Sequence, residues 1–199
     1  MKLLLASQSA SRRAMLTAVG VPFTAVTSPL DEEAAKIALR GQGLDAAQTA
    51  LALAREKAFA VSDKGMINGL ILGCDQTLQC DDGTMLDKAE DMGVLADQLR
   101  RLSGRTHRLF SAAVIVEQHE IIWHATESAR MTMRPLSEGF IADYLAHEGD
   151  GLLGCVGGYK IEGRGAQLFE RVEGNSFVVQ GMPLLPLLGF LRERGVMAS

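Results

Sequence analysis

The sequence predicts an α/β fold, a central mixed, twisted sheet flanked by helices. Short apolar runs alternate with segments of helical periodicity through the first half of the chain. Strand-like segments on either side of a short polar turn dominate the middle. An apolar helix, with a proline suited to its first turn, closes the chain. The 199 residues are 47% hydrophobic and 22% charged, enough to bury a substantial core. Neither repeat nor linker divides them, so a single domain spanning 1–199 is expected, with a second lobe at about 102–165.

Lys2–Ala6 reads as a short buried strand rather than a signal peptide, because its apolar stretch is short and two arginines follow closely. Ser11–Val19 is a predicted helix with Met15, Leu16 and Val19 on its apolar face and Gly20 at its end. Pro22–Thr27 is strand-like, and Asp31–Arg40 and Asp45–Ser62 are helical. Gly65 and Gly69 flank a loop, after which Leu70–Gly73 forms a short apolar strand with Asp75 at its end. Asp81-Asp82-Gly83 is a turn, Asp91–Arg101 a helix and Ser103–Thr106 a loop. Leu109–Glu117 and Ile121–Arg134 pair as a hairpin about His119-Glu120, and Ser137 caps a helix running to His147. Beyond the glycine-dense stretch Gly149–Gly165, Ala166–Val172 and Ser176–Val179 are strand-like, and Pro183–Arg194 is the last helix.

The net charge of −4 argues against a broad face for a nucleic-acid polymer, though a few local cations suffice for one small phosphorylated molecule. No apolar run approaches the ~20 residues that span a bilayer, so no membrane partner is expected. Cys74, Cys80 and Cys155 lack paired metal spacing and suit a reducing, cytoplasmic setting. The four histidines show no zinc pattern.

In ASQSASRR, a strand end, a loop of small residues and a helix start form a natural anion site. Ser7, Ser9 and Ser11 bring hydroxyls, and Arg12 and Arg13 can grip phosphate oxygens; a serine N-cap with two solvated arginines is the plainer alternative. Asp75 follows the buried run LILG, where ligands collect in α/β proteins, and a carboxylate there can hold a metal or activate water, or simply cap a loop. Lys57 and Lys88 are further phosphate candidates, each alone no more than a surface lysine. Asp31, Glu32 and Glu33 can supply a metal ligand or complement a helix dipole. Glu162, between Ile161 and Gly163 on a predicted strand, can accept hydrogen bonds from a base edge or face water. The stretch GMPLLPLLGFL is core or interface, the latter implying a homodimer.

LLASQSASRRAML, PLDEE, AREKA, ILGCDQTL, LSGRTH and GGYKIEGRGAQLFERVEGNSFVVQGMPL together resemble, in that order, the Maf-like family of nucleoside triphosphate pyrophosphatases over nearly the whole chain. The resemblance implies an inosine-triphosphate-pyrophosphatase-like sheet with two lobes and a cleft, and hydrolysis of a nucleoside triphosphate to monophosphate and pyrophosphate with a divalent cation, Mg²⁺ or Mn²⁺. By resemblance Asp75 is the proton acceptor, and Ser7, Ser9, Arg12 and Arg13 form the phosphate loop. Glu32 matches the acidic residue of a VDE-like motif, expected to bind the metal with Asp75; Lys57 and Lys88 match two motif lysines. Gln76 and Glu162 stand where dTTP- and UTP-hydrolysing members have threonine and glutamine, which resembles the branch acting on 7-methyl-GTP. Ser11 falls where that branch has a bulky residue, and Lys88 lies in LDKA rather than a GKP-like motif. A dTTP/UTP-type or broad-specificity house-cleaning pyrophosphatase is the alternative substrate reading. A non-catalytic nucleotide-binding regulator of cell division is the alternative of another class.

Overall fold

The computed structural model describes residues 2–63 and 69–198, so the loop position Gly65 lies outside the described residues. The elements run β1 (Leu3–Ala6), α1 (Ala10–Ala18), β2 (Thr24–Val26), α2 (Glu32–Arg40), α3 (Ala46–Ser62), β3 (Leu70–Cys80), β4 (Met85–Leu86), α4 (Met92–Leu102), β5 (Thr106–Glu117), β6 (Glu120–Met133), α5 (Glu138–Glu148), β7 (Phe169–Glu173), α6 (Ser176–Val179) and α7 (Leu184–Glu193). The seven strands form one mixed sheet in the order β2-β1-β3-β5-β6-β7, with β4 paired to β3. No helix among the described residues is long and apolar enough to cross a membrane.

The chain divides into two compact units. The first comprises Met1–Gln76, Phe110–Glu127 and Gly181–Ser199. Here β1 is buried along its whole length and pairs in parallel with β2 and with Leu70–Leu72 of β3. Asp45 caps α3 reciprocally with Gln48, a pattern that satisfies two otherwise orphaned donors. The underside of α3 is built from Ala50, Ala54, Ala58 and Val61, packed on Ile71, Ala112, Val114 and Val116. The contact is close because Gly73 has no side chain: a Cβ there would lie 2.0 Å from the Ala54 carbonyl oxygen.

The second unit comprises Thr77–Leu109 and Ser128–Gln180. Leu95, Leu99 and Leu102 of α4 and Ile141, Tyr144 and Leu145 of α5 bury against Leu78, Leu109, Met131, Met133 and Leu168. β7 pairs antiparallel with Arg130–Met133 of β6.

Several local expectations shift. α1 begins at Ala10, one residue before the expected Ser11, because Ser9 is its N-cap, its hydroxyl accepting from Arg12 N. β3 runs on to Cys80, so Asp75 is mid-strand rather than at a strand end; the strand continues after its unbroken apolar run stops. The hairpin turn is Gln118-His119, at φ 51° and 66°, the pair of positive values a type I′ turn needs, and Glu120 already belongs to β6. Glu162 is in a turn closed by Gly163 N–H on the Lys160 carbonyl, not on a strand. Left-handed Gly157 and Gly158 precede that turn, and the backbone of Gly165 crowds Lys160 too closely for any side chain. Ser176–Val179 is one helical turn capped by Asn175; four apolar residues read alike as buried strand or buried helix.

Candidate active site

The polar groups of the first unit gather where β1 ends and β3 continues. β1 stops at Ala6, and its parallel register with β3 stops at Leu72. β3 therefore outruns its neighbour, and Cys74, Asp75 and Gln76 extend past the carboxyl end of the parallel pair. Asp75 thus stands in the strand-end position expected of it relative to β1, though not relative to its own strand.

The β1–α1 loop is held from within. Ser9 N–H donates to Ser7 Oγ at 3.2 Å. Arg12 is buried, its Nε donating to the Gly181 carbonyl at 2.9 Å and its Nη1 to the Cys74 carbonyl at 2.9 Å and Ser7 Oγ at 3.3 Å. These acceptors are neutral, so they fix the guanidinium without cancelling its charge. Arg13, one residue on, faces solvent, and Ser11 is half-buried in the first turn of α1. Adjacent arginines on a helix point in different directions, and the pair divides into a buried brace and an exposed cation.

On β3, Asp75 shares a face with Ile71 and Gly73, the face that α3 covers. The close approach at Gly73 sets the neighbouring turn of α3 down onto Asp75, and Lys57 Nζ lies 2.5 Å from Asp75 Oδ1. Lys57 is 5% exposed and Asp75 8%, so this is a buried ion pair. The half-exposed Glu32, on the first turn of α2, places Oε1 3.1 Å from the same ammonium. Ser28 Oγ–H donates to the Lys57 carbonyl, tying the chain before α2 to α3. Breaking such a pair by removing one partner costs about 3–5 kcal/mol, because the other charge is left buried and uncompensated.

Cys74 is buried beside this group. Burial, offset in part by Arg12 and Lys57, pushes its thiol up to about 11, so it is no nucleophile near neutral pH. Gln76 points to the other face of β3 from Asp75, where its Nε2 donates to Ser111 Oγ at 3.1 Å.

Two of the candidates lie in the second unit: Lys88 is exposed in the loop after β4, and Glu162 is exposed in its turn. The structure thus brings together Glu32, Lys57 and Asp75, and separately Ser7, Ser9 and Arg12. Sequence reasoning missed the Gly73 approach, the Gly181 carbonyl and Ser111. Glycine and an isolated serine carry little signal; Lys57 does, since it falls in the helical stripe Ala50, Ala54, Lys57, Val61.

Among the described residues no three His, Cys, Asp or Glu side chains form a group able to hold a metal. Asp75 and Glu32 nevertheless converge on one positive centre, the Lys57 ammonium. Two carboxylates fit a hard cation that takes its remaining oxygens from phosphates and water, the usual arrangement for Mg²⁺.

The Maf-like protein family model matches residues 2–194. A nucleoside triphosphate pyrophosphatase of Sphingopyxis alaskensis is 46% identical over 98% of this chain and 98% of its own length. A 7-methyl-GTP pyrophosphatase of Rhizobium meliloti is 46% identical over 97% of this chain and 96% of its own. Among solved structures, a HAM1 protein from Coxiella burnetii aligns over 67% of this chain and 73% of that one, at 14% identity and a TM-score of 0.44.

Proposed function

This chain belongs to the Maf-like protein family, and from that premise we propose that it hydrolyses nucleoside triphosphates to nucleoside monophosphates and pyrophosphate. The observation that carries the reading is the buried Asp75–Lys57 pair with Glu32 on the same ammonium, on the stretch of β3 that runs past β1. A buried carboxylate that bonds an ammonium can exchange that partner for others when a polyanion arrives. A purely structural core has no use for it, since well-packed apolar residues serve at least as well.

In the reaction a water oxygen bonds to the α-phosphorus, the bond from that phosphorus to the α,β-bridging oxygen breaks, and pyrophosphate departs. Asp75 orients the water and takes its proton on the carboxylate. Lys57 turns its charge to the phosphates. The β1–α1 loop supplies Ser7, Ser9, the helix N-terminus and the exposed Arg13, with Arg12 adding a fixed positive charge behind it. Positioning and charge neutralisation carry most of such a phosphoryl transfer. Asp75 and Glu32 are the residues that would hold Mg²⁺ or Mn²⁺, which when bound supplies further neutralisation of phosphate charge.

Gln76 and Glu162 favour 7-methyl-GTP as substrate: Glu162 can accept from the N1–H and exocyclic amine of guanine, and its carboxylate suits a cationic base. Lys88 adds a candidate phosphate contact, and Ser11 a small side chain at a position tied to base choice. The soluble nucleotide pool makes the cytoplasm the setting, with neither membrane nor nucleic-acid polymer needed; sedimentation tests for a homodimer. The test is release of pyrophosphate and monophosphate from 7-methyl-GTP, GTP, UTP and dTTP, with Glu162→Gln alongside. Preference for 7-methyl-GTP that Glu162→Gln reduces supports the base assignment. Preference for UTP or dTTP overturns it and favours the pyrimidine reading, and nucleotide binding without pyrophosphate release overturns the hydrolase itself.

A further inference from the structure

We propose that Gly181 is a positioning residue for the hydrolysis: its carbonyl sets the Arg12 guanidinium, which in turn places the β1–α1 loop relative to Asp75. The proposal rests on the pyrophosphatase reading above, in which that loop meets the phosphates and Asp75 the water. Gly181 opens GMPLLPLLGFL, a stretch that the reaction has left unused, and begins the last segment of the first unit. Its φ is 105°, a value that glycine adopts freely and a residue with a side chain does not. The direction of its carbonyl therefore depends on its being glycine. That carbonyl accepts from Arg12 Nε at 2.9 Å. The glycine also lies close against the guanidinium, for a Cβ would stand 3.4 Å from both Nε and Nη2.

From that anchor the guanidinium reaches two further groups. Its Nη1 donates to the Cys74 carbonyl, next to Asp75, and to Ser7 Oγ. Ser7 Oγ also accepts from the Ser9 N–H, and Ser9 in turn caps α1. Every donor to Ser7 is an N–H group, so the direction of each bond is fixed. A serine hydroxyl has two lone pairs and one proton. With both lone pairs accepting, Ser7 has its proton left to offer, and a donor is what a phosphate oxygen needs. One guanidinium thus ties the strand of Asp75, the loop and the sense of a loop hydroxyl to a single carbonyl. A planar fork spans these acceptors at fixed separations, whereas an ammonium of the same charge does not. A misplacement of about 1 Å can cost about 10²-fold in rate. The brace therefore acts on the chemical step more than on capture of the nucleotide, which the exposed Arg13 and the charge of Lys57 still provide.

The experiment is a double-mutant cycle in the full-length protein, Gly181→Ala against Arg12→Lys. It reads kcat and KM on whichever of 7-methyl-GTP, GTP, UTP and dTTP is hydrolysed fastest, at a temperature where thermal melts show the variants folded. Gly181→Ala keeps the carbonyl but strains its direction; Arg12→Lys keeps the charge but loses the fork. Each is expected to lower kcat by about 10–100-fold while KM moves less than about 3-fold. The double variant is expected to be no slower than the slower single one, since both substitutions break one brace. A rise in KM with kcat kept, a fall in melting temperature alone, or losses that multiply in the double variant overturns the proposal. Should Gly181→Ala not fold, Arg12→Lys and the exchange of the Arg12 Nε proton with solvent decide, its NMR signal assigned by its absence from Arg12→Lys. Slow exchange together with the kcat loss supports the brace; exchange as fast as that of Arg13, or an undiminished kcat, overturns it. Failure of the unsubstituted protein to release pyrophosphate from any nucleotide overturns instead the function on which the proposal stands.

Discussion

The two units bury polar groups in opposite ways. In the first, the buried polar residues include a lysine, an aspartate and an arginine, paired with one another or with carbonyl oxygens. In the second, the buried groups are neutral. His107 Nε2 and Tyr159 Oη share a hydrogen bond at 2.6 Å, flanked by Phe169, and Tyr144 Oη–H donates to the Gly158 carbonyl. Burial pushes His107 down to about 4 and raises the Tyr144 and Tyr159 hydroxyls well above their usual range, so none carries charge near pH 7. The first unit spends stability to keep charges where a polyanion is to be handled; the second avoids charge and fixes the glycine-rich stretch through aromatic rings.

The largest consequence of that contrast is expected at Lys57. Lys57→Met should cost about 3–5 kcal/mol of folding stability by stranding Asp75, measured by chemical denaturation. Combined with Asp75→Asn, most of that loss should be recovered. A small cost for Lys57→Met alone would show that the pair is not electrostatically coupled.

The second unit's signature is a pH dependence of the opposite origin. The unfolded chain binds a proton at His107 near pH 6.5, while the folded chain resists until about 4, so stability is full above the unfolded value and is lost as pH falls between them. The total is up to about 3 kcal/mol. His107→Gln should flatten that arm of the stability profile and leave the arm above pH 7 as it is. A profile unaltered by the substitution would place His107 in contact with water.

How much of this was legible beforehand follows from the same contrast. The α/β alternation, the helix expected at Asp45–Ser62 and the strand expected at Lys2–Ala6 are local signals, and they appear in the structure within a residue or two. Asp75 was legible as chemistry but misplaced as geometry, because a strand end and a strand that outruns its neighbour look the same in a hydropathy reading. Arg12 and Arg13 were legible as a pair; which of them is buried depends on the Gly181 carbonyl, 169 positions away. Ser111 was not legible at all, since a serine heading an apolar run acquires meaning only from the strand beside it. The helix at Ser176–Val179 was misread because four residues are too few to show a period.

Surface ion pairs set the lower end of the scale. Arg100 on α4 bonds both Asp97 and Glu138, holding the Glu138 carboxyl below the usual range, and all three side chains are exposed. Arg100→Ala should leave both the stability in chemical denaturation and the turnover nearly unchanged, because solvent screens an exposed pair. A larger loss would mean that exposed networks contribute to the second unit what buried ions do to the first.

The central claim is that the buried carboxylate of the first unit performs the hydrolysis. Asp75→Asn keeps shape and hydrogen-bonding capacity while removing the charge and the basic site. Pyrophosphate release by this variant, measured at a temperature where circular dichroism shows it folded, should fall by about 10²–10⁴-fold with every nucleotide that the unsubstituted protein hydrolyses. Turnover near that of the unsubstituted protein, in a folded Asp75→Asn, would contradict the account.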